Sequence, residues 1–269
     1  MSAYVSAVQH IRSMRGGSQA HLIRASNEQY YVTKFQNNPQ HIRVLANEML
    51  ATRLGELLGL PLPHVTAIEV GPWLIEHTDA LRIDLAGLRT AFKPGIHFGS
   101  EYAVDPIHDH LFDYLPETLL QKVRNIEDFA RILVLDKWTS NSDGRQAVFC
   151  RNSNRGHYRA VFIDQGYCFN AGEWNFPDST LRGVYARNYV YQHVRNWEAF
   201  EPALTRAEEM DIDAIWRIAA AIPSDWYEHD RAGLNRLVEE LHSRRSTIRA
   251  LITAFRDSSR NPFPLWTTD

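Results

Sequence analysis

The 269-residue sequence has only two cysteines, Cys150 and Cys168, and they are not spaced as a metal-binding pair. Two cysteines at this separation do not suggest a zinc site or a framework of disulfides. Disulfides persist in oxidising compartments and are rare in reducing ones, so a chain without a disulfide framework fits a reducing compartment. We therefore expect a cytoplasmic protein without structural disulfides.

Long apolar runs are also absent from the sequence. No stretch approaches the roughly 20 apolar residues that a transmembrane helix needs. The first 17 residues, MSAYVSAVQHIRSMRGG, lack the apolar core of a secretory signal. We therefore expect no association with a membrane.

Neither sign of charge dominates, because the formal net charge is −3 with 23% charged and 44% hydrophobic residues. These values are typical of an ordinary globular protein. Binding to nucleic acid backbones depends on clustered positive charge, which the chain as a whole lacks. One arginine-rich segment, HSRRSTIR at 242–249, is interpreted as the solvated face of a helix. Nucleic acid is therefore not an expected direct partner.

The first 78 residues follow the order strand, strand, helix, strand, strand. Two hairpins are predicted, because two pairs of segments have strand-like composition and the members of each pair are separated by turn residues. The helix between them has apolar residues at helical spacing, with Pro39 in its first turn and Gly59 at its end. The predicted strands are 20–25, 29–35, 64–70 and 73–78.

The remaining residues favour helices, after an irregular stretch at 79–105 that we expect to lie along a cleft. Two short strands, 146–152 and 158–164, flank a turn at Asn154-Arg155-Gly156. Asn125 and Asp128 are placed as the cap and third residue of a helix at 126–139. Further helices are predicted at 116–123, 214–222 and 232–255.

These patterns predict an α+β fold with two lobes. The first lobe, residues 1–78, is small and rich in strands, with one long helix. The second, residues 79–269, is mainly helical. A cleft between two lobes is a common place for a binding site.

Three small residues, Gly16, Gly17 and Ser18, precede the first predicted hairpin. Glycine leaves backbone N–H groups open to a bound phosphate, since no side chain covers them. By itself, a pair of glycines before a strand indicates only an ordinary turn.

Lys34 alternates with Thr33 and Phe35 in its strand and so points to the opposite face. There it could pair with a phosphate, provided that a carboxylate holds its flexible stem. Glu48, at the edge of the apolar stripe of the long helix, suits that role. The alternative is a surface lysine and a solvated glutamate.

Two aspartates lie at the ends of the predicted 146–164 hairpin. Asp143 lies in the turn before the first strand, where its carboxylate can face a substrate hydroxyl, and Asp164 ends the second strand. Antiparallel pairing brings both strand ends to one edge, with Gln146 between them offering a carbonyl oxygen to Mg²⁺. Alternatively, Asp143 forms an Asx-turn and Asp164 is a turn former.

The order of glycine turn, strand lysine, helix glutamate, NSDGR at 141–145 and IDQG at 163–166 resembles the protein-kinase-like fold. In detail it is similar to the HipA-like kinases and to their relatives, the phosphoinositide kinases. The C-terminal segment 222–248 also resembles the tail of HipA-like domains, so the resemblance covers nearly the whole chain. No hydrolase, zinc-protease or dinucleotide-binding motif competes with it.

The resemblance implies a role for each of these residues. Lys34 would contact the α- and β-phosphates of ATP with Glu48 as its ion-pair partner, and Asp143 would be the catalytic base or orient the hydroxyl. Asp164 would be the principal Mg²⁺ ligand. Gly16, Gly17 and Ser18 would cover the phosphates, and the adenine would lie near Glu76 and His77.

The sequence departs from the family in one ligand. Where the family has an asparagine as a second metal ligand, this chain has Gln146, three residues after Asp143. A rival alignment uses Asp136 and Asn141 as the catalytic pair. We reject it because Asp136 falls within the predicted helix.

We therefore expect an ATP- and Mg²⁺-dependent phosphotransferase, a protein serine/threonine kinase of HipA-like type. Its partners would be a protein substrate and a regulatory protein. The alternatives are a catalytically inactive nucleotide-binding pseudokinase and a kinase-fold enzyme that phosphorylates a small molecule or lipid.

Overall fold

The computed structural model describes residues 4–85, 87–152 and 156–267. The strands are β1 (Val5–Ser13), β2 (His21–Ala25), β3 (Tyr30–Lys34), β4 (Val65–Val70), β5 (Arg82–Leu85), β6 (Leu88–Ala91), β7 (Gly95–Glu101), β8 (Asp109–Phe112), β9 (Gln146–Asn152) and β10 (Arg159–Ile163). The helices are α1 (Arg43–Leu58), α2 (Pro72–Glu76), α3 (Glu117–Leu120), α4 (Asp128–Trp138), α5 (Ala203–Glu208), α6 (Ile212–Ala220), α7 (Arg231–Arg244) and α8 (Ile248–Arg256).

Five strands form a closed barrel in the order β1-β2-β3-β7-β4. β7 pairs antiparallel with both β3 and β4, while β1 closes the barrel by pairing parallel to β4. Closure leaves no free edge among these strands. The strands predicted at 20–25, 29–35 and 64–70 are confirmed as β2, β3 and β4.

Several elements before residue 105 differ from the sequence prediction. β1 was not predicted, because most of its residues are partly or fully exposed and its register with β2 shifts twice. The segment 73–78 is not a strand: helix α2 includes most of it, and its adjacent residues Leu74 and Ile75 are both buried. Two neighbouring buried side chains do not fit the alternation of a strand with one exposed face.

The stretch at 79–105 is not irregular, because it contains β5, β6 and β7. β5 and β6 form a separate two-stranded sheet, whereas β7 completes the barrel. The barrel therefore extends beyond residue 78, where we had placed the end of the first lobe. Its last strand was missed because β7 is buried in the middle and only half-buried at its ends, without a clear alternating pattern.

Helix α1 packs between the barrel and α4. Its buried residues share one apolar core with Val65 and Phe98 of the barrel and Leu135 of α4. The helix begins at Arg43, four residues after Pro39, and ends at Gly59, whose φ of 79° is the left-handed conformation that glycine adopts readily. This packing fixes the helix that carries Glu48.

The second half contains the sheet β10-β9-β8 and the remaining helices. β9 and β10 match the predicted strands, and their antiparallel register pairs Ile163 with Gln146. The turn predicted between them lies outside the described residues, except for Gly156. Asn125 does not cap α4 as expected: Glu127 occupies the N-cap, and Asn125 instead donates a hydrogen bond to the Asp128 side chain.

The long helix predicted at 232–255 is two helices, α7 and α8, separated by a 3₁₀ turn at Arg245–Thr247. Nor is the arginine-rich segment a solvated face. Arg244 is buried and pairs with Asp178, and Arg245 donates to the carbonyl of Met210. These arginines bind groups from elsewhere in the chain, which the local sequence pattern could not indicate.

Within the described ranges, no helix is long and apolar enough to span a membrane.

His97 is a fully buried, neutral histidine in β7. Its Nδ1 accepts a hydrogen bond from the Gln36 N–H at 3.1 Å, and its Nε2 donates to the Lys93 carbonyl at 2.9 Å. A proton on Nδ1 would face another donor. Burial lowers the pKa of His97 from 6.5 to about 4, although the Lys93 carbonyl acts in the opposite direction.

We expect the free energy of unfolding to decrease as the pH falls from 7 to 5. The unfolded chain takes up a proton on this histidine near pH 6.5, whereas the folded chain does so only near pH 4. His97 should account for a loss of about 2 kcal/mol at pH 5. His21 adds to the same trend, because burial also lowers its pKa to about 4.

Urea unfolding at the two pH values measures this loss. His97→Gln should show a smaller decrease than the wild type, whereas His77→Gln, at an exposed position, should retain the full decrease. An unchanged pH dependence in His97→Gln would contradict the assignment.

Candidate active site

A cleft of about 790 Å³ lies between the barrel and the ends of β9 and β10. The barrel contributes Lys34, Phe98 and Ser100 to its walls, and the opposite side contributes Gln146 and Asp164. Polar and apolar groups line it together, and ligand sites commonly combine apolar side chains with a few polar groups that orient the ligand.

The ammonium group of Lys34 lies between two carboxylates. Its Nζ is 2.5 Å from Glu48 Oε1 and 2.8 Å from Asp164 Oδ1. Lys34 is 6% exposed and Glu48 is 3% exposed, so water screens this pair little. The structure thus brings together the strand lysine, the helix glutamate and the aspartate that directly follows β10.

This arrangement keeps Lys34 and Asp164 ionised. Burial favours the neutral amine of Lys34, but the two carboxylates outweigh burial and raise the pKa of that lysine. Burial also favours the protonated acid of Asp164, yet the neighbouring Lys34 ammonium lowers the pKa of Asp164 to about 2. A fixed cation and a fixed anion therefore face the cleft at neutral pH.

The segment after Asp164 packs closely against α1. The Gln165 N–H donates to Glu48 Oε2 at 2.9 Å. A Cβ atom on Gly166 would come within 2.6 Å of Val44 Cγ1, far closer than side chains approach each other. The glycine of the IDQG segment therefore permits α1 to bring Glu48 to Lys34.

Asp164 and Gln146 meet because β9 and β10 are antiparallel. Gln146 pairs in register with Ile163, and its Nε2 donates to Asp164 Oδ2 at 3.1 Å. Asp164 itself has a φ of 63°, in the left-handed region that few residues other than glycine adopt. Such backbone strain is often found at functional sites.

A buried ion pair between Asp136 and Arg145 fixes the turn at 139–145. Both side chains are 0% exposed, and two guanidinium nitrogens of Arg145 bind the two carboxylate oxygens of Asp136. Asn141 Nδ2 also donates to Asp136, at 2.8 Å, and Arg145 donates to the Ile163 carbonyl, at 2.8 Å. Asp136 thus joins α4, the turn and the end of β10.

The roles of Asp136 and Arg145 were not predicted from the sequence. One signal was available: an aspartate on an otherwise apolar helix needs a charged or hydrogen-bonded partner when it is buried. The sequence did not identify Arg145 as that partner. The pair explains how the turn bearing Asp143 and the strand end bearing Asp164 are held together.

Asp143 lies in an exposed turn that its own side chain helps to close. Its N–H donates to Asn141 Oδ1 at 3.1 Å, and the Gly144 N–H donates to Asp143 Oδ1 at 2.7 Å. The Asx-turn here is therefore formed by Asn141, whose side-chain oxygen accepts from the N–H two residues later, and not by Asp143. The described residues that line the cleft do not include Asp143, but they do include Gln146, three residues later.

The glycine turn faces the cleft in part. Gly16 and Ser18 line it, whereas Gly17 is not among the described lining residues. Gly16 has a φ of 122°, which strains any residue with a side chain.

Glu76 and His77, near which the resemblance places the adenine, lie outside the described lining of the cleft. They end helix α2. The chain instead leaves the barrel after β7, and Glu101, Tyr102 and Ala103 line the cleft there. These residues were missed because β7 was not predicted.

Comparison with known proteins gives a family match. A family model of HipA-like kinases matches residues 7–256. No curated protein matches the chain.

Solved kinase structures share the fold at low sequence identity. The Helicobacter pylori proinflammatory kinase CtkA is 16% identical, with a TM-score of 0.53 and coverage of 91% of this chain and 98% of CtkA. HipA of Shewanella oneidensis MR-1, solved with HipB and operator DNA, is 12% identical, with a TM-score of 0.54 and coverage of 96% and 68%. The Golgi casein kinase with Mn and ADP bound is 12% identical, with a TM-score of 0.52 and coverage of 96% and 74%.

At these identities the structural comparisons show the fold alone, which is kinase-like and combines helices with strands. The family match extends over nearly the whole chain, from β1 to the end of α8. The resemblance noted from the sequence motifs is thus confirmed: the chain belongs to the HipA-like kinase family and is a kinase.

Proposed function

We propose that this kinase uses ATP and Mg²⁺ to phosphorylate a serine or threonine hydroxyl of a protein. The observation that carries the proposal is the Lys34 ammonium held between Glu48 and Asp164 in the cleft. Lys34 would contact the α- and β-phosphates, while Gly16 and Ser18 approach them from the glycine turn. The adenine would lie beside residues 101–103, which join the barrel to the following sheet.

The residues around Asp164 suit Mg²⁺ by their chemistry. Asp164 offers an ionised carboxylate, and Gln146 offers an amide oxygen if its side chain turns over. Mg²⁺ prefers oxygen ligands and is commonly held by one or two carboxylates together with nucleotide phosphates and water. When bound, Mg²⁺ would neutralise charge on the phosphates. Among the described residues there is no group of three or more His, Cys, Asp or Glu side chains that could hold a metal ion by itself.

Asp143 would orient the acceptor hydroxyl and take up its proton. The acceptor oxygen then forms a bond to the γ-phosphorus, the bond between that phosphorus and the β–γ bridging oxygen breaks, and ADP leaves. The exposed carboxylate at the turn can receive an acceptor from solvent. Catalysis of this kind depends mainly on positioning and on stabilising charge.

A protein acceptor is supported by the kinase fold shared with the Golgi casein kinase, whose name indicates a protein substrate. We propose in addition a regulatory protein partner, as for the HipA solved with HipB. A cytoplasmic location is proposed because Cys150 and Cys168 are both free thiols.

The second candidate function is a nucleotide-binding protein without catalysis. It is favoured by Gln146, which stands where the family has an asparagine metal ligand. The side-chain amide of Gln146 donates a hydrogen bond to Asp164 and so does not present its oxygen to a metal there. Transfer activity distinguishes the two candidates.

Asp143→Ala is expected to lower the rate of phosphoryl transfer by about 10²- to 10⁴-fold, since it removes the group that orients and deprotonates the hydroxyl. The measurement is transfer of radiolabelled phosphate from ATP to a degenerate serine and threonine peptide library. Asp79→Ala, at a fully exposed aspartate, serves as the control and should keep the wild-type rate. Equal labelling by Asp143→Ala and wild type would refute the assignment of Asp143.

Mg²⁺-ATP should also raise the melting temperature of the wild type, because a ligand that binds only the folded state stabilises it. A shift with ATP but no transfer to any acceptor would support the inactive nucleotide-binding protein. No shift at saturating Mg²⁺-ATP would contradict both candidates.

A further inference from the structure

The glycine turn between β1 and β2 is attached to a second element on its outer side. The side chain of Gln19, the last residue before Ala20 and β2, forms two hydrogen bonds with the main chain of Asp84 in β5. Gln19 Nε2 donates to the Asp84 carbonyl at 2.6 Å, and the Asp84 N–H donates to Gln19 Oε1 at 2.8 Å. The side-chain amide of Gln19 thus makes with β5 the two hydrogen bonds that the main chain of an adjacent strand would make.

The β5–β6 hairpin is held to the barrel by one buried residue of β5 and by the buried residues on either side of the hairpin. Ile83 of β5 and the flanking residues Leu81 and Phe92 are buried in a core cluster with residues of the barrel. Phe92 stacks on Phe35 with ring centroids 3.9 Å apart, and Phe35 follows Lys34 directly. The hairpin therefore packs beside the strand that carries the cleft lysine.

Neighbouring residues of the turn face different ways. Gly16, Ser18 and Ala20 line the cleft, whereas the side chain of Gln19 binds the hairpin. The turn is closed by hydrogen bonds from Met14 N–H to the Ala20 carbonyl and from Gln19 N–H to the Gly16 carbonyl. Gln19 has a φ of 47°, a conformation that is unfavourable for this residue type and persists when surrounding contacts stabilise it.

We propose that Gln19 is a positioning residue for the nucleotide phosphates. Its two hydrogen bonds to Asp84 hold the glycine turn against the β5–β6 hairpin, and this places Gly16 and Ser18 at the cleft before a nucleotide binds. A turn held in its bound position loses less conformational entropy on binding than a free one. The inference rests on the proposed function, because it assumes that the turn contacts phosphates.

Gln19→Asn tests this role with little change to the backbone. Asparagine adopts a positive φ more readily than most residues, but its side chain is one methylene too short to keep both hydrogen bonds. Affinity for ATP with Mg²⁺, measured by calorimetry, is expected to fall about five- to tenfold, the effect of losing one or two net hydrogen bonds. Affinity for adenosine, which lacks phosphates, should stay within twofold of the wild type.

Two further variants separate positioning from general damage. Gln19→Gly relieves the backbone strain but removes the side chain, so it should lose ATP affinity as Gln19→Asn does. Gln29→Ala replaces an exposed glutamine in the β2–β3 turn and should bind ATP as the wild type does.

The outcomes distinguish this inference from the proposed function. If wild type binds ATP and Gln19→Asn binds it equally well, the positioning role is wrong while the kinase assignment stands. An equal loss for ATP and adenosine would also overturn the inference, because it would indicate damage to the whole cleft. If the wild type binds neither ligand, the proposed nucleotide site itself is wrong.

Discussion

Replacing Asp164 with asparagine is expected to lower the rate of phosphoryl transfer by about 10³-fold while leaving the fold intact. Removal of one preorganised charged or hydrogen-bonding group from a transition-state site commonly has an effect of this order. Asparagine has the same shape and tolerates the φ of 63° at this position. Lys34 keeps its ion pair with Glu48, so the buried ammonium still has a partner.

The rate should be measured together with ATP affinity in Mg²⁺ and in EDTA. Mg²⁺ should strengthen ATP binding to the wild type and have little effect on the variant, because the negative charge of the proposed metal ligand is gone. Asp113→Asn is the matched control, since Asp113 lines the same cleft and has no proposed contact with the metal. A transfer rate for Asp164→Asn within tenfold of the wild-type rate would contradict the assignment of Asp164 as the principal metal ligand.

Replacing Asp136 with alanine is expected to reduce the free energy of unfolding by about 3–5 kcal/mol, the range found when one partner of a buried ion pair is removed. The guanidinium of Arg145 would stay buried without its carboxylate, and Asn141 would lose an acceptor. The measurement is urea unfolding at neutral pH. Glu56→Ala breaks the partly exposed pair with Arg53 and should lose at most about 1 kcal/mol.

The same variant decides between the two alignments of the catalytic residues. If Asp136 were the catalytic base, alanine there would abolish transfer with little change in stability. If Asp136 positions the turn, stability should fall by several kcal/mol. A stable, inactive Asp136→Ala variant would therefore revive the alignment that the sequence analysis rejected.

Sequence patterns predicted well the elements whose signals are short and regular. β2, β3, β9 and β10 have β-branched and aromatic residues bounded by turns, and α1 has apolar residues at helical spacing. The meeting of Asp164 and Gln146 could also be predicted, because antiparallel pairing dictates which strand ends are adjacent.

The errors occurred where burial does not follow a local period. β1 is bulged and largely exposed, and β7 lies between β3 and β4 although neither is its neighbour along the chain. Because β7 was not predicted, the first lobe was expected to end at residue 78 and the adenine to lie near Glu76 and His77, which are not among the described residues that line the cleft. No short segment indicates that a strand at 95–101 will close a barrel.

Local pattern and residue chemistry marked Lys34, Glu48, Asp143 and Asp164 as candidates, because strand and helix periods assign side chains to faces over a few residues, and the resemblance to HipA-like kinases supplied their expected roles. Their final arrangement depended on closure of the barrel, on packing of α1 and on the Asp136–Arg145 pair. Lys34 and Asp164 are 130 residues apart in the chain, yet Lys34 Nζ lies 2.8 Å from Asp164 Oδ1. This contact results from many packing interactions between segments that are far apart in the sequence. No single one of them produces a local sequence pattern from which the contact could be predicted.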